Sequence, residues 1–203
     1  MLSDYVHKGV KSKKGTGAEV VATEFTNDKA TDFNAILTTI KGKNPDLVFF
    51  GGMDAVAGPM LRQMKALGIN AKFMGGDGIC TDKLAELAGD AMTDGKVVCA
   101  EAGGVEAAGE KKMEEFKAAF QKKFNTKVEI YAPYVYDAVM VMADAMQKAG
   151  SAEPAKYLPF LTKSNYQGVT GKIIFDAKGD IKDGTLTLYT YKGGKRDKLT
   201  VTR

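Results

Sequence analysis

Two carboxylates are framed by glycines in a way that could do chemistry. Asp77 lies between Gly76 and Gly78 in GGDGI, and Asp54 follows Gly51-Gly52-Met53. A carboxylate held in such a turn accepts charge-assisted hydrogen bonds from an amine, and these strengthen as water leaves. Asp77 can equally close an Asx turn or cap the segment that starts at Thr81. Met53 can point into a cleft or pack within its own loop. Other chemistry is sparse. The only histidine, His7, sits on a Lys-rich helical face and reads as a surface residue. There is no G-x-S-x-G elbow and no H-E-x-x-H motif. Gly168-Val169-Thr170-Gly171-Lys172 superficially resembles a phosphate loop, but its glycine spacing is too short and Ile173 replaces the required hydroxyl. Most carboxylates are scattered with Lys on solvated helices, so neither a metal nor a cofactor is expected. Asp54 and Asp77 as an acid-base pair would lack a nucleophile, so an enzyme is not expected.

The elements that must position these groups alternate. Leu47-Val48-Phe49-Phe50 is an unbroken apolar run, as expected of a strand covered on both faces. Ala55 to Leu67 has helical spacing, with Met60, Leu61, Met64 and Leu67 on one side. Ala71 to Met74 is the next strand. In an open parallel sheet both glycine turns fall at the carboxyl ends of the strands, where such folds bind ligands. Upstream, Leu2 to Lys13 reads as a helix and Val20 to Phe25 as a short strand. Thr31 or Asp32 caps a helix that turns Phe33, Ile36, Leu37 and Ile40 inward. Downstream, Thr81 caps a helix with Leu84 and Leu87, and Lys96 to Ala100 is another strand. Glu101 to Gly109 reads as a connection. Three helices follow: Glu110 to Phe124, with Met113, Phe116, Phe120 and Phe124 inward, then Tyr131 to Ala149 and Ala155 to Lys163. Thr170 to Thr202 alternates as an antiparallel ribbon.

Composition bounds the function. The 203 residues are 44% hydrophobic and 27% charged, ordinary for a globular protein. A net charge of +4 without a dense basic block argues against nucleic acid as partner. No apolar run approaches the roughly 20 residues that span a membrane, and the first residues have no apolar signal-peptide core. Cys80 and Cys99 either form a disulfide, if their elements are neighbours, or remain two half-buried thiols.

The stretches TNDKATDFNAIL, NPDLVFFGG, GPMLRQMKALG, FMGGDGI and LAGDA, followed by YAPYVYDAVMVMADAM and GKIIFDAKGDIKDG, resemble the Leu/Ile/Val-binding periplasmic proteins of amino-acid ABC transporters. The resemblance implies an α/β fold: a parallel-sheet lobe of a type I periplasmic binding protein, helices of the other lobe, and a C-terminal antiparallel ribbon. Residues 1–100 would form the ligand-binding lobe, 101–182 the mainly helical part of the other lobe, and 183–203 the return strands. It implies that Asp77 pairs with the ligand's α-ammonium and that Gly78 lets backbone approach. Met53 stands where relatives carry an aromatic contact, Asp54 beside it is a polar candidate, and Tyr134 lines the side-chain pocket from the other lobe. Ala100-Glu101 and Asp180 to Asp183 fall where hinge crossings belong. The implied partners are a small amino acid and a membrane permease, and the implied location is the periplasm. Set against the family, the chain lacks the N-terminal part that carries the Ser/Thr and backbone donors for the ligand's α-carboxylate. Two expectations follow: exposed apolar helix faces and pairing with another copy. The rival reading is an assembly fragment that binds no ligand.

Overall fold

The structure, a computed structural model, describes residues 18–103, 107–182 and 184–202. In chain order the elements are α1 (Asn34–Gly42), β1 (Leu47–Phe50), α2 (Asp54–Ala66), β2 (Lys72–Gly75), a 3-10 turn (Asp77–Ile79), α3 (Asp82–Ala88), a second 3-10 turn (Gly89–Ala91) and β3 (Val97–Ala102). Then come α4 (Ala107–Phe124), α5 (Ala132–Ala149), α6 (Pro154–Leu161), β4 (Asn165–Gln167) and β5 (Lys172–Ile174). The chain finishes with β6 (Leu186–Lys192) and β7 (Lys195–Thr202). It divides into two compact units. The first ends at Glu101 and takes back Thr187–Thr202; the second is Ala102–Leu186.

In the first unit a five-stranded sheet has the order β1-β2-β3-β6-β7. β1, β2 and β3 run parallel, with Phe50 opposite Gly75 and Gly75 opposite Cys99, so their carboxyl ends share one edge. The apolar stripe of α2 does what its spacing dictates: Met60, Leu61 and Met64 are buried with Phe33, Leu37, Phe73 and Leu84. Gly58 on α2 is buried directly against Leu87 of α3, where a Cβ would overlap the leucine side chain. A local cap holds the start of α3: Thr81 Oγ1 accepts from Leu84 N (3.1 Å). At α1 the N-cap position is Phe33, not the expected Thr31 or Asp32, and Asp32 only turns the chain into it, accepting from Asn34 N (3.0 Å). Cys80 and Cys99 are disulfide-bonded, with Cα atoms 5.3 Å apart and a sequence separation of 19. Closing a loop of that size contributes about 3 kcal/mol on the chain-entropy account.

In the second unit the buried carboxylate of Asp137, on α5, anchors the loop that leads into β5. Oδ1 accepts from Val169 N (2.9 Å), and Oδ2 accepts from Thr170 N (2.8 Å) and Thr170 Oγ1 (2.6 Å). The GVTGK segment is therefore an anion cradle filled by the protein's own aspartate. β4 and β5 pair antiparallel, Asn165 opposite Ile174.

Several expectations are corrected. Val20 to Phe25 belongs to no strand of the described residues, and Val21 and Phe25 stay exposed. With no strict alternation, that run has no single apolar face to bury. β1 is not buried throughout: Leu47 at its start is exposed, and Phe49 and Phe50 are half-buried. Along α4, Met113, Phe116 and Phe120 are only half-buried and Phe124 is exposed. Their rings stack along the helix instead, Phe120 on Phe124 at 4.7 Å, and Phe116 meets Tyr136 at 5.1 Å. The ribbon is split. β4–β5 stands in one unit, and β6 joins the main sheet beside β3, where Thr190 Oγ1 donates to Val97 O (2.8 Å). The helix expected over Leu2 to Lys13, with His7, lies outside the described residues, as does Asp183.

Candidate functional site

β1 runs into Gly51-Gly52-Met53 and β2 into Gly76-Asp77-Gly78, so the two turns meet on the carboxyl edge. A Cβ on Gly78 would lie 2.6 Å from the Gly52 carbonyl oxygen and 2.8 Å from Met53 Sδ. Only glycine lets the turns approach this closely. Asp77 is exposed, and its Oδ1 accepts from Gly78 N at 3.0 Å. This is the local turn bond, and it occupies one carboxylate oxygen only. Met53 is largely exposed with its sulfur against Gly78. Asp54 is committed elsewhere: its Oδ2 accepts from Thr81 Oγ1 (2.7 Å), tying the start of α2 to the cap of α3.

Asp77, Gly78, Met53 and Asp54 thus lie together in the first unit. Tyr134 belongs to the second, where its hydroxyl donates to the Ala102 carbonyl and its ring packs against Gly103. A separate groove in the first unit sits at the amino ends of β1 and β2, bordered by Lys41, Asp46, Ile69 and Lys72, on the opposite side of the sheet from Asp77.

Sequence reasoning overlooked Arg196 and Tyr191 and took Glu101 only as part of a connection. Arg196, just after the β6–β7 turn, donates through Nη1 to Cys80 O (2.8 Å) and Glu101 Oε2 (3.0 Å), and through Nε to Asp82 Oδ1 (3.1 Å). Its guanidinium lies 5.3 Å from the Tyr189 ring centroid. One side chain thereby joins the end of the Asp77 turn, the start of α3 and the end of β3. Burial works against the Arg196 charge, yet Glu101 and Asp82 outweigh it and hold the group above its ordinary range. Glu101 is pushed up by burial, with Arg196 opposing and Asp77 adding to the rise. Tyr191 is buried, and its hydroxyl donates to Thr81 O (2.7 Å), with Ile79 O at 3.1 Å sharing the proton. A usable signal existed for Arg196: it is one of three arginines in a chain whose other cations are lysines, and arginine suits multidentate pairing.

Among the described residues no group of three or more His, Cys, Asp or Glu side chains could hold a metal ion, and no helix is long and apolar enough to cross a membrane. An open parallel sheet with an acid-bearing glycine edge places its polar groups where such folds bind ligands. The chain belongs to the periplasmic binding protein family, whose model matches residues 3–196. Members are solute-binding proteins rather than enzymes. It is 32% identical over 181 residues to the leucine-, isoleucine-, valine-, threonine- and alanine-binding protein of Pseudomonas aeruginosa, covering 89% of this chain and 48% of that one. A Leu/Ile/Val-binding protein homolog of Brucella abortus is 32% identical over 179 residues, 88% of this chain and 47% of its own length. The crystal structure of the leucine-binding protein LivK of Thermotoga maritima superposes with a TM-score of 0.76 at 26% identity, covering 88% of this chain and 50% of that one. LivJ of Streptococcus pneumoniae, in complex with isoleucine, gives 0.74 at 27% identity, covering 92% and 53%. The chain spans about half the length of the curated relatives it matches.

Proposed function

We propose that this chain is part of the substrate-binding component of an ABC transporter for branched-chain or other neutral amino acids, and that Asp77 receives the ligand's α-ammonium. The observation that carries this is the Asp77 carboxylate, exposed on the carboxyl edge of the parallel strands with one oxygen fixed by Gly78 N. Relatives that bind leucine, isoleucine and valine support the ligand class. In this reading Gly78 and Met53 form the adjoining wall. Asp54 acts mainly through Thr81. The unit that ends at Glu101 and takes back Thr187–Thr202 is the lobe that bears Asp77, and Ala102–Leu186 belongs to the other. Delivery is to a membrane permease, and the location is the periplasm.

Isothermal titration of the 203-residue chain with leucine, valine, phenylalanine and glutamate tests the proposal. Neutral amino acids should bind and glutamate should not, and Asp77→Ala should remove the heat. Unchanged binding by the variant would refute the role of Asp77. A second reading, self-association without ligand, draws on the exposed apolar face of α5, where Val135 is 60% and Val139 59% exposed.

A further inference from the structure

Glu101 closes the strand next to the one that leads into Asp77. Gly75, the last residue of β2, pairs with Cys99 in the parallel register, so the turn that starts at Asp77 and the end of β3 that carries Glu101 leave neighbouring strands on the same edge of the sheet. Glu101 shares its sheet face with Cys99, whose disulfide partner Cys80 follows the Asp77 turn. The two carboxylates are built alike. Glu101 Oε2 is held by Arg196 Nη1 at 3.0 Å, in a side chain only 16% exposed. Asp77 Oδ1 is held by Gly78 N. Each has one oxygen fixed by the protein and a second with no hydrogen-bond partner among the described residues. Three charged or titratable groups face Glu101: Arg196 from β7, Tyr189 from β6 and Asp77 from its turn.

We propose that Glu101 is a specificity-determining residue of the amino-acid site, taking a second N–H of the ligand's ammonium while Asp77 takes the first. The inference rests on the reading of Asp77 above. An ammonium has three N–H donors and fits between two carboxylates. A tertiary amine, protonated, has one N–H and satisfies only one of them. Arg196 keeps the second carboxylate in place and offsets its charge, so the pair can sit half-buried without a ligand.

The test compares L-leucine with N,N-dimethyl-L-leucine by calorimetry on the whole chain, as a double-mutant cycle. Wild type should prefer leucine by roughly tenfold or more, the scale of a charged hydrogen bond. Glu101→Gln, which still offers Arg196 an acceptor, should lose most of that preference, and Glu101→Asp should recover part of it. A purely structural role would weaken both ligands equally, and an unchanged preference or an equal loss overturns the inference. In ligand-free protein, carboxyl NMR should show the Glu101 titration midpoint falling when Asp77→Asn removes its neighbour's charge; no movement also overturns it. If Asp77→Asn weakens leucine and Glu101→Gln does not, only Glu101's role fails. If the chain binds no leucine, or binds it equally with Asp77→Asn, the reading of Asp77 fails and Glu101's role with it.

Discussion

Tyr191 shows how much of the carboxyl edge depends on a side chain buried beneath it. Its ring is fully buried, and its hydroxyl serves the carbonyls of Ile79 and Thr81, the two residues flanking Cys80. Burial is the main cause that pushes the phenol far above its ordinary value of 10.0, with Asp82 and Asp54 adding to the rise. The folded state therefore keeps the proton while the unfolded chain gives it up. Stability from this group is fully present below about pH 10 and is lost as pH climbs beyond it. Tyr191→Phe strands two buried carbonyls and should cost about 1–3 kcal/mol near neutrality. Urea unfolding at several pH values checks both parts. The variant should be the less stable protein at neutral pH, and the gap to wild type should narrow as pH passes about 10. A gap that stays constant would mean the phenol titrates normally in the fold.

At the scale of elements, α5 and the β4–β5 ribbon are joined by Asp137. Its carboxylate gathers three donors from Val169 and Thr170, while Gly168 lies against it with no room for a side chain. Asp137→Asn presents an NH2 group to at least one of those donors and weakens the rest. It should cost at least about 2 kcal/mol, since charged hydrogen bonds are worth roughly 1.5–3 kcal/mol each. Chemical denaturation of the variant checks this, and a cost below about 0.5 kcal/mol would show that the loop does not depend on the aspartate. Asp137 also marks where the sequence stops being readable. The β1–α2–β2 alternation was legible because its apolar spacing and glycine turns are local signals. The same holds for Thr81, whose cap lies three residues from its donor. Asp137 and Thr170 are 33 positions apart, Arg196 and Cys80 116. Pairings of that span leave no mark in a single sequence, so GVTGK could be rejected as a phosphate loop without its true anion being found. Val20 to Phe25 failed for the converse reason: β propensity over six residues does not supply a neighbouring strand.

At the scale of the molecule, the helical unit buries little of its apolar surface. Val135, Val139 and Met142 of α5 and Tyr131 just before it follow helical spacing, and all are exposed. Leu158 and Phe160 on α6 are exposed as well. The α5 face runs over three turns, about 16 Å, and apolar surface of this kind gains about 25 cal/mol for each Å² removed from water. A stable pair of copies needs about 800 Å² from each partner. Self-association should therefore depend on concentration. Light scattering coupled to size exclusion should give a mass above that of one 21.8 kDa chain at tens of micromolar, falling toward the monomer on dilution. Val139→Glu places a charge at the centre of the face and should shift the protein to monomer at every concentration. If wild type elutes as a monomer throughout, or if the glutamate variant still associates, this face is not the one that pairs.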